Sequence, residues 1–309
     1  MTQSLTLPSF AKINWSLRVL GKRADGFHEI KTTLQTISLH DRLHFEATSD
    51  NKISLVCTDP EIPTDNRNLV IRAANALRNR YSISEGVSIK LEKNIPTQAG
   101  LGGGSSNAAV TLLALAHLWK LEIDISELVR IGAALGADVP FFLWGGRVLA
   151  TGTGTTLQAQ PDASLCRLIV IAPNTGVSTQ QAYASLNVPN LTPQPTETML
   201  SSSLNDAFFG DSHPWLRAEF ENDFESVIFD IYPEVRQAKT SLLAAGATRA
   251  LLCGSGSSVF GVFANDEAQQ LALKKIPVDA GWRIFPCVTL SRNEYRTALG
   301  DHLFRSQAL

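Results

Sequence analysis

The sequence has 309 residues, of which 44% are hydrophobic and 18% are charged, the ordinary balance of a folded globular protein with a sizeable core. Its formal net charge of −2 excludes a general electrostatic attraction to nucleic acid or to an anionic membrane, so any polyanionic ligand must be recognised locally. The length allows two domains, and we expect neither nucleic acid nor a membrane as a partner.

The cysteines indicate a reducing environment. The chain has four, at Cys57, Cys166, Cys253 and Cys287. Because their spacing matches no metal-binding pattern, we expect free thiols and assign no metal ligand to any residue. The N-terminus carries no basic region, and no run of about 18 apolar residues occurs anywhere. We therefore expect a soluble cytoplasmic protein.

The first half of the chain is predicted to contain strands and three helices. Alternation of apolar and polar residues predicts strands at residues 4–20, 30–39, 42–46, 52–57 and 87–93. Apolar residues at helical spacing predict a helix at 68–80, and an apolar run predicts a second one at 108–119. Ser126 is predicted to cap a third helix, which ends near residue 135.

The second half is predicted to contain further strands and three more helices. Strands are expected at residues 147–150, 165–172, 249–252, 258–263 and 282–290, a turn at 151–156 and a surface loop at 189–195. Helices are expected at 221–229, 233–245 and 266–275. Since strands and helices form separate clusters, the fold class is predicted to be α+β rather than a doubly wound sheet.

The most informative segment is a glycine-rich loop at residues 95–107, which runs directly into the predicted apolar helix. Its glycines let the backbone wrap closely around a ligand, and Ser105 and Ser106 offer hydroxyl groups to cap the helix. The free N–H groups and the dipole at a helix N-terminus attract phosphate. A flexible linker is the alternative, but a linker gains nothing from docking on a buried helix. The segment therefore predicts a phosphate site.

This loop matches neither of the two familiar nucleotide-binding patterns. A P-loop needs a lysine after its last glycine, but Ser105 follows Gly104, and the dinucleotide pattern fails because Ser105 stands where a third glycine belongs. A second loop of small residues, at 253–258, lies between two predicted strands. It is either a hairpin turn or a loop that closes over a phosphate or a substrate from the opposite domain.

Two charged residues stand out because apolar residues surround them. Asp138 lies near a helix end, and it is either a structural cap or a carboxylate arranged for proton transfer or metal binding. Lys12 lies on the first predicted strand, where a lysine commonly points to solvent. Since Lys12, Asn14 and Ser16 share one face of that strand, they could instead line one wall of a site.

Residues 23–29 combine a turn at Asp25-Gly26 with an aromatic ring and an imidazole. One interpretation is a tight turn whose Phe27 anchors the core. The other interpretation places Phe27 and His28 at the mouth of a pocket, where a flat heterocycle is stacked and hydrogen-bonded.

Taken together, three segments resemble the motifs of the GHMP kinases, a family of small-molecule kinases. Residues 11–14 resemble the N-terminal motif, residues 96–107 the phosphate-binding motif and residues 252–263 the third, glycine-rich motif. The resemblance implies a two-domain α+β GHMP kinase fold. Its N-terminal nucleotide-binding domain, similar to domain 2 of ribosomal protein S5, would span residues 1–160, and its ferredoxin-like substrate domain would span residues 161–309.

The resemblance also implies how phosphoryl transfer is performed. Asp138 would take the proton of the acceptor hydroxyl, and Lys12 would pair with it and support the charge of the transferring group, with ATP and Mg²⁺ as cofactors. The ATP-binding residues that the phosphate-binding motif implies are Pro96, Gly100, Leu101, Gly102, Gly103, Gly104, Ser105, Ser106 and Asn107.

Within the family, residues 11–28 look most like those of members that phosphorylate a hydroxyl of a cytidine-diphosphate-linked polyol on the non-mevalonate route to isoprenoid precursors. This resemblance implies a cytosine pocket formed by Phe27, His28 and Tyr183, and substrate contacts from Asn14 and Thr179. The expected partner is this small-molecule substrate, and the expected enzyme is a monomer or a weak homodimer.

The same residues bear on two rival functions. Another GHMP kinase, acting on homoserine or on a mevalonate-type acid, would have little use for an aromatic and histidine pocket, so Phe27 and His28 discriminate against it. Loss of Asp138 or Lys12 would indicate a non-catalytic ligand sensor on the same fold, but both residues are present.

Overall fold

The computed structural model describes residues 3–162, 164–191, 220–277 and 281–305. Within these ranges the chain forms one β-sheet of six strands and one of four, together with helices, so the predicted α+β class is confirmed. Part of the loop predicted at 189–195 lies outside the described residues. No helix in the described part of the chain is long and apolar enough to span a membrane.

The first sheet is built on one long hairpin. Its strands are β1 (Ser4–Lys22), β2 (His28–Thr48), β3 (Ile53–Cys57), β4 (Gly86–Glu92), β5 (Arg147–Gly152) and β6 (Thr156–Ala159). β1 and β2 pair antiparallel along their length, while the other edge of β2 pairs with β4 along one half and with β5 along the other. β3 extends the sheet parallel to β4, and β6 extends it beside β5.

β2 is a single strand where the sequence predicted two. Its ladder with β1 skips Ser38 and Leu39, which bulge out between the partners of Phe10 and Ala11. A bulge adds residues to one strand without ending it, so the alternation of apolar residues breaks although the strand continues. The predicted break between residues 39 and 42 is therefore wrong.

Four helices from the first half of the chain pack with this sheet: α1 (Leu69–Tyr81), α2 (Gly103–Leu118), α3 (Ile125–Leu135) and α4 (Val139–Trp144). α1 connects the parallel strands β3 and β4, which makes a β-α-β unit. α2 contacts β1 and the helices α1, α3 and α4. It is therefore buried on nearly every side, and a helix in that position needs no polar face.

The starts of two helices differ from the prediction. α2 begins at Gly103 rather than near residue 108, because Gly102 in the left-handed conformation (φ 71°) turns the loop into the helix without a side-chain cap. The two serines that follow the glycines therefore lie inside the helix and do not cap it. α3 is capped by the carboxylate of Asp124, which accepts from the backbone N–H of Glu127, and not by Ser126.

The second sheet is formed by the later part of the chain. Its elements are β7 (Arg167–Ala172), α5 (Thr179–Ser185), α6 (Glu225–Ile231), α7 (Pro233–Ala244), β8 (Arg249–Leu252), β9 (Val259–Phe263), α8 (Asp266–Lys275) and β10 (Arg283–Val288). The strand order is β10-β7-β9-β8, and neighbouring strands are antiparallel. Strands and helices thus follow the β-α-β-β-α-β order of a ferredoxin-like domain, as the resemblance implied.

Within the described ranges, five elements were not predicted. They are β6, α4, α5 and two C-terminal helices, α9 (Arg292–Leu299) and α10 (His302–Arg305). Most are short and carry little periodic signal. α9 does carry a readable signal, since Ser291 and Glu294 form a capping box at its start.

The cores of the two halves are not separated at residue 160. Tyr295 and Leu299 of α9 pack into the core of the first sheet, while Leu17 and Val19 of β1 pack into the core of the second. A boundary between residues 160 and 161 therefore separates the strands of the two sheets along the sequence. The core of each sheet nevertheless includes residues from the other side of that boundary. The domain limits stay a prediction.

Candidate active site

One cavity of about 970 Å³ gathers nearly all the residues that the sequence singled out. It lies where both glycine loops, the hairpin of β1 and β2, and α5 meet. The sequence-predicted residues that line it are Lys12, Asn14, Phe27, His28, Pro96, Gly100, Leu101, Gly102, Gly103, Gly104, Ser105, Asn107, Asp138, Thr179 and Tyr183. Residues more than 160 positions apart in the chain therefore share one site.

Ser106 differs from the other predicted ATP-binding residues. Its side chain is buried, and its hydroxyl accepts a hydrogen bond of 2.7 Å from the hydroxyl of Ser9 on β1. Ser9 also lies 2.7 Å from the side-chain oxygen of Asn107. These contacts fix the first turns of α2 to the sheet, so the side chain of Ser106 serves packing and not the cavity.

The first glycine loop is held on two sides. The carbonyl of Leu101 accepts from the backbone N–H of Lys12 at 3.0 Å, and the carbonyl of Ala99 accepts from the N–H of Ser258 at 3.1 Å. A Cβ on Gly100, whose φ is 74°, would lie 1.8 Å from the carbonyl oxygen of Cys253. The loop is therefore docked against the second glycine loop, which excludes a flexible linker and shows that residues 253–258 do more than turn a hairpin.

Neighbouring glycines at the start of α2 face different surroundings. A Cβ on Gly103 would lie 3.0 Å from the side chain of Ile95 and 3.1 Å from Nζ of Lys93. A Cβ on Gly104 would meet nothing closer than the side chain of Leu69 at 3.8 Å. Gly104 is exposed and lines the cavity, so a side chain there would enter the space that the helix N-terminus offers to a phosphate.

We expect Gly104→Val to weaken ATP binding by about tenfold or more, equal to about 1.4 kcal/mol, because its side chain occupies the phosphate space. The melting temperature should change little. Gly103→Val is the matched control, since its side chain is forced against Ile95 and should cost about 1–3 kcal/mol of stability by overpacking. Calorimetric ATP titration and thermal unfolding measure both effects. Unchanged ATP affinity in Gly104→Val would contradict a phosphate site at this helix.

Lys12 is fixed by a chain of hydrogen bonds along β1 and β2. Its Nζ donates to the side-chain oxygen of Asn14 at 2.8 Å, and the amide of Asn14 donates to the hydroxyl of Thr32 at 2.8 Å. That hydroxyl donates in turn to the carbonyl of Ser16 at 2.6 Å. The Lys12 side chain is only 5% exposed, so it does not point to bulk solvent. The ammonium is preorganised on the cavity wall.

Asp138 lies beside Lys12 on the cavity wall. Its carboxylate lies 3.8 Å from Nζ of Lys12, and its side chain is 39% exposed. Asp138 occupies the residue before α4, but its side chain makes no capping hydrogen bond. A structural cap therefore does not explain this acid. The carboxylate is open to a ligand and lies beside a buried cation, an arrangement suited to accepting a proton from a hydroxyl.

Aromatic rings form another wall of the cavity. Phe27 is 64% exposed, so it does not anchor the core. The ring of His28 stacks on Tyr183, with centroids 4.7 Å apart and planes inclined by 26°, and Tyr183 meets Phe224 edge to face at 4.8 Å. Tyr183 therefore has His28 stacked on one of its ring faces.

Burial shifts the pKa values of His28 and Tyr183 in this wall. Burial and the charge of Lys22 lower the pKa of His28 from its ordinary value, which favours a neutral imidazole with one donor and one acceptor nitrogen. Burial, together with the charge of Asp138, raises the pKa of Tyr183 to about 12.

Thr179 lies at the start of α5, where its hydroxyl is 3.1 Å from that of Ser255 in the second glycine loop.

A buried ion pair beneath the first glycine loop was not predicted. Nζ of Lys93 donates to the carboxylate of Asp41 at 2.7 Å and to the carbonyl of Ile95 at 2.5 Å. The same carboxylate accepts from the N–H groups of Asn94 and Ile95, both at 2.7 Å. Desolvation lowers the pKa of Lys93, but the pair with Asp41 opposes this effect. The pair fixes the segment that leads into the glycine loop.

A sequence signal for this pair existed. Asp41 stands on the same alternating positions of β2 as Leu43 and Phe45, which are buried. An acid at such a position needs a partner inside the protein. The partner could not be identified, because Lys93 lies 52 residues further along the chain and follows a different strand.

Removing the Asp41 carboxylate should destabilise the protein strongly. Asp41→Asn leaves the buried ammonium of Lys93 without its counter-ion, and we expect a loss of about 3–5 kcal/mol in the free energy of unfolding. Glu92→Gln is the control, because Glu92 pairs with Lys90 in solvent at 3.1 Å and such pairs contribute about 0–1 kcal/mol. Denaturant titration measures both. Equal small losses would contradict a structural role for the buried pair.

Comparisons with known proteins agree with this fold. Residues 68–146 match the family model of the GHMP kinases N terminal domain, and residues 205–278 match that of the GHMP kinases C terminal. These matches identify the chain as having the fold of the GHMP kinases. They do not say which kinase of the family it resembles most, which comparison with individual relatives shows.

Those relatives agree with one another. A 4-diphosphocytidyl-2-C-methyl-D-erythritol kinase of Listeria innocua is 42% identical over 260 residues, covering 84% of this chain and 87% of that protein. The kinase of the same name from Syntrophus aciditrophicus is 40% identical over 284 residues, covering 92% and 98%. A crystal structure of 4-(cytidine 5'-diphospho)-2C-methyl-D-erythritol kinase matches with a TM-score of 0.74 at 32% identity, covering 92% and 99%. The chain therefore belongs to the GHMP kinases and, within them, to the 4-diphosphocytidyl-2-C-methyl-D-erythritol kinase family.

Proposed function

We propose that this chain transfers the γ-phosphoryl group of ATP to the 2-hydroxyl of 4-diphosphocytidyl-2-C-methyl-D-erythritol, a step of the non-mevalonate route to isoprenoid precursors. One observation carries the proposal: a single cavity holds a phosphate loop, a lysine-aspartate pair and an aromatic-imidazole wall. The backbone of Lys12 bonds to the first glycine loop, and the Asp138 carboxylate lies 3.8 Å from the Lys12 ammonium.

The reaction requires positioning and charge stabilisation more than covalent chemistry. The acceptor hydroxyl oxygen forms a bond to the γ-phosphorus while the bond to the β–γ bridging oxygen breaks and ADP leaves. Asp138 takes the hydroxyl proton. The ammonium of Lys12 and the N–H groups at the start of α2 stabilise the negative charge of the transferring group. The hydrogen bond that the Lys12 ammonium donates to the side-chain oxygen of Asn14 holds the ammonium in place for this role.

Mg²⁺ is proposed to accompany the nucleotide. The described residues contain no group of three or more His, Cys, Asp or Glu that could hold a metal ion. The ion would therefore be bound chiefly by phosphate oxygens, as Mg²⁺ commonly is. Ser105, which lines the cavity at the start of α2, would offer its hydroxyl oxygen to the ion. When bound, the ion neutralises phosphate charge.

Substrate recognition is proposed to rest on the aromatic wall. His28, neutral because of its lowered pKa, would hydrogen-bond the edge of cytosine, while Phe27 and Tyr183 would stack on its faces. Asn14 and Thr179 line the same cavity and would contact the polyol. The domain limits at 1–160 and 161–309 would then assign the nucleotide to the first domain and divide the substrate contacts, with Asn14, Phe27 and His28 in the first domain and Thr179 and Tyr183 in the second.

We further propose a cytoplasmic enzyme that is a monomer or a weak homodimer. The cytoplasmic location is supported by the thiols, since Cys57, Cys166, Cys253 and Cys287 are all free and reducing compartments keep thiols in that state.

Coupled measurement of ADP release with four acceptors tests the function. We expect turnover with 4-diphosphocytidyl-2-C-methyl-D-erythritol and none with homoserine, mevalonate or galactose. Turnover with only one of the latter three would transfer the protein to another branch of the family. No turnover with any acceptor, together with intact ATP binding, would support a non-catalytic sensor, although Lys12 and Asp138 are both present and adjacent.

A further inference from the structure

The segment of residues 222–225, which we call the clamp, contacts three parts of the cavity wall: β1, the second glycine loop and Tyr183. Its sequence is Asn-Asp-Phe-Glu, and it was predicted as part of a helix. The helix α6 begins only at Glu225, because the side chain of Asn222 accepts from the N–H of Phe224 at 3.0 Å and turns the chain before it. The polar side chains of the clamp all bond to backbone groups of other elements.

Asn222 holds the second glycine loop. Its amide nitrogen donates to the carbonyl of Leu252 at 2.9 Å and to the carbonyl of Gly254 at 2.8 Å. The residue is only 6% exposed, so water cannot easily replace these bonds. Both N–H groups and the oxygen of the amide are used, which fixes its orientation.

Gly254 is the point where this loop meets the reaction centre. A Cβ on Gly254 would lie 3.2 Å from Nζ of Lys12 and 3.1 Å from the carbonyl oxygen of Gly100. The backbone that Asn222 holds therefore lies beside the ammonium of Lys12 and against the first glycine loop, with no room for a side chain between them. Any displacement of Gly254 changes the space available to the ammonium.

The other members of the clamp anchor it. The carboxylate of Asp223 accepts from the N–H of Val19 on β1 at 2.7 Å, the strand that carries Lys12. Glu225 accepts from the N–H of Leu252 at 2.9 Å. Phe224 is buried and meets Tyr183 edge to face. The clamp thus ties β1, the second glycine loop and the aromatic wall to one another.

We propose that Asn222 is a positioning residue for phosphoryl transfer, which acts by holding Gly254 against Lys12. The proposal rests on the proposed kinase function. Asn222 does not line the cavity and touches no reacting atom. Its contribution is to the placement of the ammonium, and misplacement of a reacting group by about 1 Å is enough to lower a rate by about a hundredfold.

The test compares Asn222→Ala with Gln269→Ala. Gln269 is a matched control because it is also a buried amide that donates to two carbonyls, those of Leu168 at 2.6 Å and Cys287 at 3.1 Å, but it lies away from the cavity. Both variants should lose melting temperature. We expect kcat to fall by about tenfold to a hundredfold in Asn222→Ala, with the KM for ATP nearly unchanged, and to stay at the wild-type value in Gln269→Ala.

A second readout is independent of turnover. The ¹³C resonance of Lys12 Cε, assigned by its loss in Lys12→Met, should shift in Asn222→Ala and not in Gln269→Ala. If Asn222→Ala does not fold, Asn222→Ser replaces it, since a serine hydroxyl can accept the turn bond from the N–H of Phe224 and is too short to donate to both carbonyls. A wild-type kcat or an unmoved Lys12 resonance in the folded Asn222 variant would overturn the proposal. Absence of turnover in the wild-type protein would instead overturn the proposed function. The shift of the Lys12 Cε resonance would then still show whether Asn222 positions the ammonium.

Discussion

We expect Asp138→Asn to lower kcat by on the order of a hundredfold or more, because the amide cannot accept the proton of the acceptor hydroxyl. Nucleotide affinity and melting temperature should be retained. The carboxylate makes no capping bond to α4, and the substitution preserves the shape of the side chain. Steady-state kinetics, ATP titration and thermal unfolding measure the three quantities.

Asp124→Ala is the control for this variant. Asp124 also precedes a helix, but its carboxylate does accept the capping bond from Glu127, so its loss should cost about 0.5–2 kcal/mol of stability and leave kcat unchanged. The two acids are thus expected to show opposite patterns. Full activity in Asp138→Asn, at a normal melting temperature, would remove Asp138 from the mechanism.

His28→Ala is expected to raise the KM for the cytidylyl substrate strongly while hardly changing the KM for ATP. The edge of the base would lose its partner at a cost of about 1–3 kcal/mol, equal to about tenfold to more than a hundredfold in apparent affinity. Phe27→Ala should act in the same direction by about 1–3 kcal/mol through lost stacking. Steady-state kinetics with each substrate varied in turn measures both.

The control is His44→Ala, which removes another histidine of β2 whose ring bonds to Thr6 and does not line the cavity. It should change neither KM. A pH series adds a further check, because the lowered pKa of His28 keeps the imidazole neutral until the pH falls through that value. The KM for the cytidylyl substrate should rise there, since a charged ring has no acceptor nitrogen. Equal losses for both substrates in His28→Ala would contradict the cytosine assignment.

The sequence revealed the parts of the site whose chemistry is local. Gly100 to Asn107 could be identified because glycines, serines and an apolar helix follow one another directly, and Lys12 and Asp138 because each is a charge among apolar neighbours. The start of α2 was misplaced because a left-handed Gly102 can replace a side-chain cap, and a hydrophobic pattern does not report backbone conformation.

The missed parts depend on tertiary contacts. Asn222 acts on Gly254 and Asp41 acts on Lys93, and each pair joins separate elements. Spacing along the chain does not encode such pairs. The same limit applies to the stack of His28 on Tyr183: both residues could be proposed for one pocket from the family resemblance, but their direct contact follows only from the fold that brings α5 to the end of the β1–β2 hairpin.

Phosphorus NMR of the product shows directly whether the phosphoryl group reaches the 2-hydroxyl. After incubation with ATP and 4-diphosphocytidyl-2-C-methyl-D-erythritol, we expect one new phosphomonoester resonance coupled to the carbon-2 position, with the diphosphate resonances of the substrate retained and ADP formed in equal amount. We also expect Asp138→Asn to form this resonance much more slowly. Release of inorganic phosphate without a phosphomonoester, or a phosphate attached to another position, would contradict transfer to the 2-hydroxyl at the Lys12–Asp138 pair.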